Sequence, residues 1–126
     1  MTTPEISAVR DADRVIGLLE ASNISPARLI VNRLRPAMVE ASEMMSVEDV
    51  SEILAVQLIG VVPEDERVIT STNRGEPLVL ESNSNSRAAQ AFDNIAHRLC
   101  GEKIPYLDLG VDRDNLFTRL RKIFAK

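Results

Sequence analysis

The sequence predicts an α/β chain with a parallel sheet, helices on both faces of that sheet, and a separate amphipathic helix at the end. Two β-branched runs, Arg28–Leu34 and Leu58–Val62, read as buried parallel strands. Segments with apolar residues at helical spacing precede, separate and follow them, which implies crossover connections. The last eleven residues place Leu116, Phe117, Leu120, Ile123 and Phe124 on one helical face and Arg119, Arg121, Lys122 and Lys126 on the other. The expected division is a body over residues 1–106, then a linker and tail helix over 107–126.

Thr2 to Ser7 reads as the end of a strand running into a helix start, with Ser7 as N-cap. Val9, Ala12, Ile16 and Leu19 form the apolar stripe of that helix, which ends near Ser22 and Asn23, before Pro26. Pro36 stops the strand Arg28–Leu34. Met38, Met44 and Met45 then line a loop or frayed turn over 37–45. Ser46 followed by Asp49 is a capping pattern, and opens a helix through Val50, Ile53 and Leu54. Pro63 ends the strand Leu58–Val62. Glu64, Asp65 and Glu66 read as a solvated loop, and Asn73 to Pro77 as a turn. Ser84 or Asn85 caps a last body helix through Ala88, Ala91, Phe92, Ile95 and Leu99, closed by Gly101. Three strands are few for such a sheet, and the first is short, so part of a larger sheet is expected.

Composition narrows the function classes. Of 126 residues, 44% are hydrophobic and 3% aromatic, with no Trp, so the core must be aliphatic. From Arg113 onward there are five basic residues and one acidic. Residues 1–112 hold ten basic and eighteen acidic. An acidic body is a poor partner for nucleic acid. A basic amphipathic tail has two readings: an anionic membrane surface, or docking of its apolar face on the domain's own core. No run of eighteen apolar residues and no signal-peptide pattern is present. The single cysteine, Cys100, forms no internal disulfide and suits a reducing compartment.

Recognisable catalytic chemistry is sparse. Five glycines are scattered, and neither G-x-x-x-x-G-K-[ST] nor G-x-G-x-x-G occurs. One histidine, His97, and one cysteine make neither a zinc site nor a nucleophile–base pair. Ligands of open α/β sheets bind beside the C-terminal ends of the strands. Asn32 and Arg33 stand at one such end, and Pro63, Glu64 and Asp65 at the other. An amide can read a purine edge and a guanidinium can stack on its face; Asn is also a common turn residue.

Larger blocks carry a family likeness. Thr2-Thr3-Pro4-Glu5 with Ser7 to Leu19, then Val31-Asn32-Arg33, Ser46 to Val50, Ile59 to Asp65, Ser71 to Leu80 and the basic tail resemble the MinD-like division-site-selection ATPases of bacteria and plastids, within the deviant Walker A class. The likeness covers nearly the whole chain and has a cyanobacterial or plastid character. It implies the C-terminal portion of a parallel-sheet P-loop NTPase fold. By that resemblance Asn32 contacts adenine, Arg33, Pro63, Glu64 and Asp65 belong to the base pocket, and residues 116–126 are a membrane-targeting helix. Met1 stands where the family has Val, which implies a gene fragment or a start assigned inside a longer frame.

In the family, a phosphate loop with a signature lysine and two switch regions precede the Thr-Thr-Pro-Glu block, and these 126 residues encode none of them. ATP and Mg therefore belong to the intact family protein. This chain as written is expected neither to hydrolyse ATP nor to bind nucleotide tightly. The resemblance further implies an anionic membrane surface as partner and a homodimer in the intact protein. MinC and MinE are not carried over, because their contacts involve the switch regions. The implied location is cytoplasmic, at the inner face of the cell membrane, or the plastid stroma. Two other functions fit the residues: a membrane-surface or partner-binding module without catalysis, and a soluble α/β domain with its last helix packed internally.

Overall fold

The computed structural model describes residues 1–24, 26–81 and 85–110. The predicted tail helix lies outside the described residues, as does Ser84. Helix α1 spans Ile6–Ala21, strand β1 Arg28–Leu34, α2 Pro36–Glu40, α3 Val47–Leu54, β2 Gln57–Pro63, α4 Glu66–Arg74 and α5 Arg87–Leu99, with a 3₁₀ turn at Leu78–Leu80. β1 and β2 pair in parallel, with register shifts after Leu29 and after Val31. The third strand is a single parallel bridge, Thr2 with Val31. Thr2 N donates to Ile30 O at 3.0 Å, and Asn32 N donates to Thr2 O at 2.8 Å.

Each face of the sheet carries its own apolar cluster. Val9 of α1, Leu29 and Val31 of β1, and Val50 and Leu54 of α3 form one, with Ala12 and Ile16 packed against it. Of the expected α1 stripe, Val9 is buried and Ala12, Ile16 and Leu19 are partly buried. Ile59 and Val62 of β2 with Ala88, Ala91 and Ile95 of α5 form the other, flanked by Ile30, Val68 and Phe92. Burying apolar side chains in this way supplies about 1.5–3 kcal/mol for each large one. Ser46 makes the predicted capping box: Asp49 N donates to Ser46 Oγ at 3.0 Å, and Ser46 N to Asp49 Oδ2 at 3.1 Å.

Several local expectations are corrected. α1 begins one residue before Ser7. Glu5, extended after Pro4, is its N-cap and makes no side-chain cap bond. Residues 36–40 are helical rather than a loop, because Pro36 at the first helical position has its φ already set and lacks an N–H that would be unsatisfied there. Residues 66–74 form α4, where a loop and turn were expected. Their β-branched residues disfavour a helix, but Asp65 caps its start and Gly75, at φ 73°, closes its end. The turn shrinks to Gly75–Pro77. Ser86, not Asn85, caps α5 by accepting from Ala89 N at 3.1 Å. Leu99 is exposed rather than buried.

Gly60 marks the tightest approach of helix to sheet. A Cβ built on it would collide with the Ile95 side chain of α5. Gly60→Ala is therefore expected to destabilise the chain by about 1–3 kcal/mol through overpacking. Combining it with Ile95→Ala should cost clearly less than the sum of the two single changes. Urea midpoints of the four proteins measure this, and full additivity would show that the two positions are not in contact.

The end of α5 carries a titratable pair. His97 Nδ1 lies 2.8 Å from Glu102 Oε1, and its Nε2 lies 3.6 Å from Asp93 Oδ2. The Glu102 hydrogen bond and charge, then the Asp93 charge, raise the imidazole pKa above its ordinary value. A raised folded-state pKa contributes stability that is full below the unfolded value of about 6.5 and is lost as pH rises through the folded value. An NMR titration should place the His97 midpoint above that of an unfolded control, and Glu102→Gln should move it back down.

Candidate functional site

The register shift after Val31 shapes the end of β1. Asn32 Oδ1 accepts from Arg33 N at 2.9 Å. Arg33 adopts a left-handed backbone, φ 58°, a conformation that costs an L-residue about 1–2 kcal/mol. Its guanidinium is brought to the end of the neighbouring strand, where Nη2 lies 3.0 Å from Glu64 Oε1. Arg35 Nε lies 2.8 Å from Glu64 Oε2. One carboxylate thereby bridges two arginines across the paired strand ends. Glu64 N also donates to Leu34 O at 2.9 Å.

The residues expected at the site do not all converge. Arg33 and Glu64 share a cleft of about 920 Å³, with Arg35, Arg10 and the α1 start on its rim. Asn32 lines a different cleft, of about 560 Å³, beside Thr2 and Leu29. Pro63 is buried opposite Leu34. Asp65 is engaged at both oxygens: Oδ1 accepts from Arg67 N at 2.9 Å and Oδ2 from the Ser86 hydroxyl. It therefore ties the start of α4 to the start of α5. Glu64 and Asp65 are bonded within the fold rather than forming the solvated loop that their composition suggested. Arg35 was missed, although Arg33 and Arg35 stand at the alternate spacing that places strand residues on one side.

The cleft's chemistry suits a base better than phosphates. Arg33 keeps 60% of its side chain exposed, so a guanidinium face remains open for stacking. Four carboxylates, of Glu5, Glu43, Asp49 and Glu64, stand among the lining residues against three guanidiniums, with no lysine and no glycine. That balance opposes a triphosphate. Among the described residues no cluster of ligating side chains could hold a metal ion, and no helix is long and apolar enough to cross a membrane.

The parallel pair with helices on both faces, and charged residues gathered at the strand ends, define the class: this is the α/β architecture of the P-loop ATPases. Among solved structures the chain is similar to the MinD cell division protein of Aquifex aeolicus, with TM-score 0.80 and 46% identity, over 85% of this chain and 44% of that one. A MinC:MinD complex from the same organism gives TM-score 0.79 at 46% identity, over 85% and 43%. A Mg-ADP complex of MinD from Pyrococcus horikoshii gives 0.68 at 28% identity, over 82% and 43%. Among curated sequences, septum site-determining MinD proteins of Guillardia theta and Synechocystis are 62% and 57% identical, over 98% and 97% of this chain. No protein-family profile matches. The chain belongs with the MinD septum site-determining proteins of cyanobacterial and plastid type, and spans about half the length, 46%, of the curated relatives it matches.

The strand-end bridge has a measurable signature. Both arginines are more than half exposed and Glu64 is 27% exposed, so screening limits what the pair contributes. Glu64→Gln is expected to lower stability by about 1 kcal/mol at low salt. The loss should shrink in 1 M salt, where the screening length is about 3 Å. Urea melts at the two salt concentrations check it; a salt-independent loss would point to packing instead.

Proposed function

We propose that this chain supplies the base-binding side and the membrane tail of a nucleotide-controlled regulator of septum placement that cycles on and off a membrane. The observation that carries the reading is the pair of strand ends joined by Arg33, Glu64 and Arg35 beside an open cleft, in a chain of MinD type. Arg33 would stack on adenine. Asn32, Pro63, Glu64 and Asp65 would shape the strand ends around it, the first by holding the Arg33 amide and the last by fixing the starts of α4 and α5. When bound, the nucleotide phosphates and magnesium would be held by residues outside this chain, since its cleft lining opposes them.

The chain beyond Asp108 would form the linker and the membrane-binding helix, with the five apolar residues at the acyl boundary and the basic ones at the headgroups. Each basic residue near an anionic surface contributes about 1 kcal/mol. One such helix binds only marginally, and two on a dimer bind stably. ATP control of dimerisation thus becomes control of membrane residence. A relative solved in complex with MinC makes that protein a candidate partner of the intact assembly.

A chimera tests this reading. These 126 residues would replace the matching stretch of the Synechocystis protein, to which they are 57% identical. The folded chimera is expected to sediment with phosphatidylserine vesicles when ATP is present and to stay in solution with ADP. Phe117→Asp should abolish sedimentation by placing a charge at the acyl boundary. A folded chimera that ignores both nucleotide and lipid would overturn the reading.

A further inference from the structure

After α5 the chain doubles back. Gly101, at φ 93°, makes the turn. Residues 104–108 then run beside α5 and β2, held by two arginines of α5. Arg98 donates from three nitrogens: Nη1 to Ile59 O at 3.0 Å, Nε to Ile104 O at 3.0 Å and Nη2 to Pro105 O at 2.8 Å. Its guanidinium carbon sits 4.2 Å from the Tyr106 ring centroid. The Tyr106 hydroxyl donates to Leu58 O at 2.7 Å. Near the other end of α5, Arg87 Nη1 donates to Asp108 O at 2.8 Å. Arg87 and Arg98 stand three turns apart, about 16 Å along the helix. Four steps of extended chain from Ile104 to Asp108 cover about 13 Å, so the two fastenings draw this segment out along α5. Leu107 packs against the cluster between α5 and β2.

The direction of this segment matters. α5 runs antiparallel to β2. Ser86 at its start bonds Asp65, just past the end of β2, whereas Arg98 near its finish reaches Ile59 early in β2. Residues 104–108 therefore return the chain to the end of the sheet that carries Arg33, Arg35 and Glu64.

We propose that residues 104–108 are a strap, and that Arg98 and Arg87 are positioning residues which deliver residues 111–126 to the strand-finish end of the domain. The functional half of the inference rests on the lipid-binding reading of the tail. A domain tethered this way turns its strand-finish end toward the membrane and keeps Cys100 at the far end, about 20 Å away along α5. Without the Arg98 fastening, the chain after Cys100 becomes a loose linker. Lipid binding survives and orientation is lost.

The full chain carries convenient reporters. Tyr106 is its single tyrosine and there is no Trp, so intrinsic fluorescence reads the strap alone. Cys100 is its single cysteine and is exposed. Arg98→Lys keeps the charge but not the three-way fork. It should change Tyr106 emission and speed chymotryptic cleavage after Tyr106 by about tenfold or more, since a hydrogen bond from a charged group contributes about 1.5–3 kcal/mol, while α1 and β1 stay uncut. Arg87→Gln, at the exposed end, should loosen residues 107–110 and is the safer variant for folding. Unchanged cleavage after Tyr106 in both variants overturns the strap, with no lipid required. In the second arm a donor dye on Cys100 faces acceptor-labelled phosphatidylserine vesicles. Low transfer in the wild type that rises in Arg98→Lys supports the positioning role. Equal transfer in the two proteins, both vesicle-bound, overturns it. A wild type that ignores the vesicles sinks the membrane reading and the delivery role with it, while the cleavage result still decides whether the strap exists.

Discussion

Everything described in this chain hangs from one parallel ladder, β1 against β2. Val31 at its centre is wholly buried, and Leu29 and Leu34 nearly so. A two-stranded sheet is not stable by itself, and its two apolar faces each demand a cover. α1 and α3 meet the first demand and α5 the second. The ladder also fixes the functional geography. Parallel strands finish at the same end, so Arg33 and Glu64, 31 residues apart in sequence, arrive within hydrogen-bond distance. The Gly60–Ile95 contact sets how closely α5 can lie on that ladder. From α5 in turn follow both the Asp65–Ser86 joint and the course of the last described residues.

What was legible in the sequence was what local chemistry decides. The β-branched runs had no other stable use, and the Ser46–Asp49 box is complete within four residues. α4 was illegible because its own residues argue against a helix. Its cap at Asp65, its close at Gly75 and the packing of Val68 onto the α5 side outweigh that preference. The candidate site was legible only as an address. Strand ends could be located, but bonds between them could not. The same holds for Arg98, whose partners Ile59 and Tyr106 lie on separate elements. A lone arginine in an amphipathic helix carries no mark of a three-carbonyl grip.

The site shows how strain and charge are traded. A left-handed Arg33 is unfavourable taken alone. It persists because the Asn32 amide oxygen holds its N–H and Glu64 holds its guanidinium. Arg35 then adds a second positive charge to Glu64, leaving the three residues together at a net positive charge. On the proposed reading, a residue held in an uncommon conformation at a strand end, with its side chain 60% exposed, would be preorganised for a planar ligand. A flexible surface arginine would lose side-chain entropy on stacking, about 2 kcal/mol at most, and this one has already lost part of it.

The distribution of positive charge now has a structural reason. In the acidic body, Arg33 and Arg35 each place one nitrogen on Glu64, Arg87 places one on Asp108 O, and Arg98 places three on Ile59, Ile104 and Pro105. Bonds to neutral carbonyls leave the charges of Arg87 and Arg98 intact, and only Glu64 cancels a positive charge here. The body, with eighteen acidic residues before Arg113 against ten basic, should be repelled by an anionic surface. On the proposed membrane reading, attraction would come from Arg113 to Lys126, where five basic residues stand against one acidic. Screening confines that attraction to about 8 Å at physiological ionic strength. On the proposed reading, a short basic segment on an acidic domain works only if it leaves the domain at the end that meets the surface. That requirement gives the exit point of the segment a physical importance that its sequence alone does not show.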